Sequence, residues 1–107
     1  MIDDVIGHLR ALDIARVYLS NDIDATDSAA APSTGAPEAN GLTPPFVRTL
    51  IARVADEFPL LGGDVVEVAP SIGSPEDARL TTDVAAGYML ETLAAMTDAS
   101  ELRQLRQ

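Results

Sequence analysis

The chain has 107 residues, 47% of them apolar and only 4% aromatic, which suffices for one small core of aliphatic side chains. Its formal net charge is −10, with no lysine, which argues against binding a nucleic-acid backbone or an anionic membrane. The lack of cysteine excludes a disulfide scaffold, and no apolar stretch approaches the roughly 18 residues of a membrane span. With an acidic N-terminus that lacks a long apolar segment, the chain is predicted to be a single cytoplasmic domain.

Two elements are predicted before residue 21. Asp3 or Asp4 can cap a first helix that ends near Asp13. Residues 16–20 are rich in β-branched and aromatic side chains and stop at an Asn/Asp cluster, which predicts a strand. The apolar residues of the helix recur at helical spacing: Val5, Leu9 and Leu12, with Ile2 and Ile6 beside them.

A long connection follows the strand. Residues 21–41 are rich in Asp, Ala, Pro, Ser and Gly and show no hydrophobic period. The usual loop between a strand and a helix has about 2–6 residues, so a connection of about 20 is expected to be either functional or disordered.

A second helix is predicted after this connection. Thr43 can cap it, Pro44 and Pro45 lie in its first turn, and it should stop before Pro59. Its apolar stripe consists of Phe46, Val47, Leu50, Ile51 and Val54.

A second strand and a last helix complete the chain. Gly62 and Gly63 precede a near-continuous apolar run at 64–69, typical of a strand buried on both faces of a parallel sheet. A loop at 71–80 is expected next, then a helix capped by Thr81 or Thr82, with a frayed tail at 98–107.

The order of these elements predicts an α/β fold. Helices alternate with two strands as in two successive βα units of a parallel sheet. Two strands alone leave both sheet edges unpaired, so more sheet is expected beside them.

Three aspartates stand where such folds bind ligands. Asp22, Asp24 and Asp27 follow the first predicted strand directly, at the carboxyl end of the sheet. Their oxygens suit hard cations such as Mg²⁺, Mn²⁺ or Ca²⁺. Aspartate is also common at loop starts because it bonds nearby backbone amides, so the pattern alone leaves both interpretations open.

Glu67 is the other carboxylate of interest, since it lies inside the second apolar run. A buried carboxylate there would cost several kcal/mol unless it met a cation, which could be an arginine or a bound ligand. In a strand its side chain would share a face with Val65 and Ala69. The only histidine, His8, is expected to be solvated on the first helix.

Two segments resemble signatures of the ureohydrolases, the binuclear-manganese family of arginase and agmatinase. SNDIDATD at 20–27, APSTGAP at 31–37 and GLT at 41–43 are similar, without a gap, to the family string SxDIDxxDPxxAPGTGxPxxGGLT. DVVEVAP at 64–70 is similar to a second block and is closer to agmatinases than to arginases. The likeness covers about residues 13–96, with Ser28 in place of a proline and Ser33 and Asn40 in place of glycines.

The resemblance implies the three-layer parallel sheet of the arginase type and hydrolysis of a guanidinium group, by water activated between two Mn²⁺ ions, to urea and an amine. Asp22 matches the carboxylate that bridges both metals, and Asp24 matches a ligand to one of them. Glu67 matches the acid that binds the substrate guanidinium, and Asp27 would order the loop. Residues 20–43 are thus the predicted metal-ligand loop, and 62–70 the predicted substrate-binding strand.

The family also uses a histidine ligand and a DxHxD block, and neither occurs in these 107 residues. The chain is therefore predicted to be the C-terminal portion of an agmatinase-type hydrolase domain, whose partners are a guanidino substrate and an N-terminal partner chain or a homo-oligomer. A catalytically incomplete or degenerate module that binds a partner chain is the alternative. A weakly cation-binding acidic domain is a third possibility.

Overall fold

The computed structural model describes the backbone of residues 1–106 and the side chains of residues 1–97. Strands β1 and β2 form a two-stranded parallel sheet, which confirms the predicted α/β class. No helix in this described part of the chain is long and apolar enough to cross a membrane. The elements are α1 (Ile2–Ala11), β1 (Val17–Asp22), a 3-10 helix (Ile23–Ala25), α2 (Pro44–Glu57), β2 (Leu60–Val66) and α3 (Pro75–Arg106).

Helix α1 buries a different face from the predicted one. It starts directly after Met1, and the aspartates predicted as caps lie in its first turn, where negative charge favours the helix dipole. Ile6 is buried against Val54 and Phe58. The stripe of Ile2, Ile6 and Leu9 has the same spacing as the predicted one, so periodicity alone could not choose between them. Val5 and Leu12 are exposed.

Helix α2 confirms its prediction. The Thr43 hydroxyl accepts a hydrogen bond from the Phe46 amide at 3.2 Å, and prolines occupy the first turn. The helix ends before Phe58, and the predicted stripe supplies its buried residues, Val47, Ile51 and Val54.

Strand β2 begins earlier and ends earlier than predicted. It spans Leu60–Val66, so Gly62 and Gly63 lie within it rather than before it. A Cβ at Gly63 would lie 2.9 Å from the Leu19 carbonyl oxygen and 3.0 Å from Cγ2 of Thr92. The glycine therefore permits close packing of β2 between β1 and α3, and it does not mark a turn.

Helix α3 also begins earlier than predicted. The Ser74 hydroxyl accepts from the Asp77 amide, and the Asp77 carboxylate accepts from the Ser74 amide, both at 3.1 Å. This reciprocal cap starts the helix at Pro75, which shortens the predicted 71–80 loop and places Thr81 inside the helix. The predicted fraying of 98–107 concerns residues whose side chains are outside the described part, and it stays a prediction.

The core lies between the sheet, α2, α3 and the long connection. Tyr88 is fully buried there, with Ile23 and Ala31 of the connection packed in the same cluster. The predicted 21–41 connection therefore contributes to the core, which argues against the disordered alternative.

Candidate active site

The paired strands bring the predicted site residues to one edge of the sheet. β1 ends at Asp22, whose register partner on β2 is Val66. Glu67 directly follows Val66, and Asp24 lies in the 3-10 helix directly after β1. Because both strands end here, all three residues lie at the carboxyl edge of the sheet, where α/β proteins bind ligands.

The two aspartates are held by local hydrogen bonds. The Asp22 carboxylate accepts from the Asp24 amide at 2.9 Å and so caps the 3-10 helix. The Asp24 carboxylate accepts from the hydroxyl of Thr34, a residue only 1% exposed. Thr34 was not among the predicted site residues, although it is one of the few polar side chains in a stretch of small residues and prolines.

Glu67 is exposed, so the prediction of a buried carboxylate inside a strand is wrong. The strand ends one residue earlier, and Val68, not Glu67, packs against the core. The backbone of Glu67 has φ 68°, in the left-handed region that side chains with a Cβ seldom adopt. Its carboxylate therefore needs no internal cation and is available to a ligand.

The metal-ligand loop is closed on itself by backbone contacts. The Asp27 amide donates to the Leu42 carbonyl at 2.8 Å, and the Asp27 carboxylate accepts from the Asn40 amide at 3.1 Å. Asn40 has φ 60°, which explains why the family string has glycine here and why asparagine can replace it. A Cβ at Gly41 would lie 2.8 Å from the Ala25 carbonyl oxygen. These contacts agree with a loop-ordering role for Asp27.

A polar clamp on the exposed sheet face, missed by the sequence analysis, joins the two strands just before the site. The Asp64 carboxylate accepts hydrogen bonds from the Tyr18 hydroxyl at 2.9 Å and the Ser20 hydroxyl at 2.8 Å. The hydrogen bond to Asp64 raises the pKa of the Tyr18 phenol. Because Asp64 contacts two residues of β1, the clamp favours the register that places Asp22 beside Val66.

The carboxylate oxygens of Asp22 and Asp24 are suitable ligands for manganese, but two carboxylates are too few for a metal pair. Carboxylate oxygens are ligands that Mn²⁺ accepts well, and Asp22 and Asp24 each keep one oxygen outside the hydrogen bonds made within residues 1–97. However, no three His, Cys, Asp or Glu side chains of the described residues are grouped to hold a metal ion. These residues therefore do not fit a metal pair by themselves.

Comparison with known proteins gives consistent matches. A model of the arginase family matches residues 1–95, so the likeness also includes helix α1. The agmatinase of Escherichia coli O9:H4 (strain HS) is 40% identical over 96 residues, covering 88% of this chain and 31% of the relative.

Solved structures agree. A hypothetical agmatinase from Burkholderia thailandensis has a TM-score of 0.74 at 28% identity, covering 94% of this chain and 31% of that one. The agmatine ureohydrolase of Thermoplasma volcanium has a TM-score of 0.61 at 32% identity, covering 85% and 30%. The chain spans only 23–31% of the length of the curated relatives it matches. From its signature, its fold and these matches, the chain belongs to the arginase family and, within it, resembles the agmatinases.

Proposed function

We propose that this chain supplies part of the active site of an amidinohydrolase that converts a guanidinium compound such as agmatine to urea and an amine. The observation that carries the proposal is the placement of Asp22, Asp24 and Glu67 at the carboxyl edge of the β1–β2 pair. The agmatinase relatives support the choice of substrate class.

The two aspartates would be ligands to a pair of Mn²⁺ ions. Asp22 would bridge both ions and Asp24 would bind one, with the loop holding each carboxylate as described. The other ligands would come from the parts of an arginase fold that this sequence does not contain, which an N-terminal partner chain would supply. The ligands among the described residues are therefore only part of the set that a metal pair needs.

Glu67 would bind the substrate. A guanidinium is planar and cationic, and a carboxylate can accept two parallel charge-assisted hydrogen bonds from it. The exposure of Glu67 leaves both oxygens accessible to such a ligand. The net charge of −10 would also attract a cationic substrate to the protein. The cytoplasm is the compartment we expect for this reaction.

Urea release from agmatine tests the proposal with the chain in its native assembly. Asp22→Asn and Asp24→Asn should each lower kcat/KM by about a hundredfold or more, because each removes a charged ligand oxygen. Glu67→Gln should raise KM by about 10- to 100-fold, the loss expected for a charge-assisted hydrogen bond. Asp83→Asn, an exposed site on α3, makes the same charge change and should leave activity intact. Retained activity in the three site variants would contradict the proposal.

The second candidate is a catalytically incomplete or degenerate module that binds a partner chain through its open sheet. It is favoured by large apolar side chains that are exposed in the described residues of β2 and α3: Leu61, Met89, Leu90 and Leu93. A stable complex with the polypeptide that carries the rest of the fold, without urea release, would favour this candidate.

A further inference from the structure

Ser33 lies in the metal-ligand loop and is 0% exposed, and its three polar groups are all hydrogen bonded. Its amide donates to the Thr81 hydroxyl at 2.8 Å. Its hydroxyl donates to the Ile72 carbonyl at 2.6 Å, and its carbonyl accepts from the Ala69 amide at 2.9 Å. Two of the three partners therefore belong to residues 67–74, the loop that begins with Glu67.

The residue after Ser33 reaches the other half of the site. Thr34 donates its hydroxyl to the Asp24 carboxylate. The adjacent residues Ser33 and Thr34 thus contact both a proposed metal ligand and the loop of the proposed substrate-binding residue. Within residues 1–97 the loop has few other contacts. Val68 packs against the core, the Ile72 amide donates to the Ala69 carbonyl within the loop, and Ser74 at its far end is hydrogen bonded to the first turn of α3.

We propose that Ser33 is a positioning residue, whose hydroxyl holds the 67–74 loop against the metal-ligand loop and so sets the position of Glu67 relative to Asp24. The inference rests on the proposed function for the roles of those two carboxylates. The family string has glycine at this position, and glycine could make the two backbone hydrogen bonds but not the bond to Ile72. The tether through the hydroxyl is therefore a feature of this chain.

Nuclear magnetic resonance on the purified chain, without metal or substrate, tests the tether. Ser33→Ala and Ser33→Gly should both speed amide exchange at Ala69 by about fivefold, the factor for one buried hydrogen bond, while α2 amides change little. Residual dipolar couplings of residues 67–72 should also change relative to those of 21–43. Ser71→Ala removes an exposed hydroxyl from the same loop and should change neither quantity.

Two results would overturn the proposal. The first is a uniform change in exchange over the whole chain with unaltered couplings, because that indicates a loss of global stability only. The second is an effect of Ser71→Ala equal to that of Ser33→Ala. If the Ser33 variants do not fold, the wild-type chain decides: the Ser33 hydroxyl proton should be detectable through slow exchange with water, and rapid exchange would reject the tether. Because substrate is absent, failure of agmatine hydrolysis would not alter these outcomes.

Discussion

Glu67 combines an exposed carboxylate with an unfavourable backbone conformation. For a residue with a Cβ, the left-handed backbone conformation is about 1–2 kcal/mol less favourable than the ordinary conformations. The chain keeps glutamate at φ 68°, at the carboxyl edge of the sheet, although glycine would adopt this conformation more easily. Such residues cluster at functional sites, where the surrounding structure maintains them.

Glu67→Gly should therefore stabilise the fold while removing the proposed substrate-binding group. We expect the glycine variant to be about 0.5–1 kcal/mol more stable than Glu67→Ala, because only glycine relieves the backbone strain. Urea denaturation of both variants measures the difference. Equal stability of the two would show that the left-handed conformation is not retained in solution.

Some site residues follow from the sequence and others depend on tertiary contacts. The position of Asp22 and Asp24 at the carboxyl end of β1 could be predicted, because a recognisable strand leads into them and they lie within the family signature. The exposure of Glu67 could not, because an apolar run does not reveal that β2 ends at Val66. Ser33 also could not be assigned a role, because its hydrogen-bond partners lie 36 to 48 residues away.

At the scale of elements, the metal-ligand loop depends on close backbone contacts at Gly41. A Cβ there would lie 2.8 Å from the Ala25 carbonyl oxygen and 2.9 Å from the Asp27 nitrogen, and both of these are backbone atoms. Such atoms cannot move aside as the end of a flexible side chain can. A small substitution must therefore shift the segment that carries Asp24.

Gly41→Ala should lower the free energy of unfolding by about 1–3 kcal/mol, the range for overpacking. Gly35→Ala is the matched control in the same loop, because no atom lies within 4 Å of its Cβ position. Thermal unfolding, monitored by circular dichroism, compares the two variants. Equal unfolding temperatures would mean that the loop accommodates the added methyl group without loss of stability.

Helix α3 is joined to the same loop by a buried hydrogen bond. The hydroxyls of Tyr88 and Thr26 lie 2.7 Å apart, and both residues are almost fully buried. Tyr88→Phe would leave the Thr26 hydroxyl without this partner and should destabilise the fold by about 1–2 kcal/mol. Tyr18→Phe, at a residue 57% exposed, should change stability by no more than about 0.5 kcal/mol. Chemical denaturation measures the free energy of unfolding of both variants. A larger loss in Tyr18→Phe than in Tyr88→Phe would contradict the prediction.

Tyr88 should also contribute to unfolding in alkali. Burial raises the pKa of its phenol above the ordinary value of 10.0. A phenol with a raised pKa in the folded state gives its full stabilisation below the unfolded pKa and loses it as the pH rises through the folded pKa. Stability should fall above about pH 10, and less steeply in Tyr88→Phe. If stability falls with pH as steeply in Tyr88→Phe as in the wild type, Tyr88 is not the cause of the alkaline unfolding.

Local signals explain which elements were predicted well. Helix α2 carries its own cap, prolines and apolar stripe, so its bounds could be predicted closely. Helix α1 offers two stripes of equal spacing, and only packing against α2 selects Ile6. The early starts of β2 and α3 depend on close packing at Gly63 and on the Ser74 cap.

At the scale of the whole molecule, the proposed function requires the chain to provide one edge of an arginase-type site. Its sheet has two strands, and it spans 23–31% of the length of its curated relatives. The carboxylates on this edge nevertheless keep a defined arrangement, because the strand register, the Asp64 clamp and the loop contacts hold the segments that carry them. Weak metal binding at this edge is therefore expected even before a full ligand set is present.

Manganese titration of the purified chain, followed by nuclear magnetic resonance, tests this expectation most directly. Mn²⁺ broadens nearby signals, so the affected residues locate the ion even when binding is weak. We predict broadening centred on residues 22–24 that extends to Val66 and Glu67. It should be lost in an Asp22→Asn, Asp24→Asn variant and retained in Asp83→Asn. Broadening spread evenly over the acidic surface, or unchanged in the double variant, would contradict the assignment of this edge as the metal-binding part of the site.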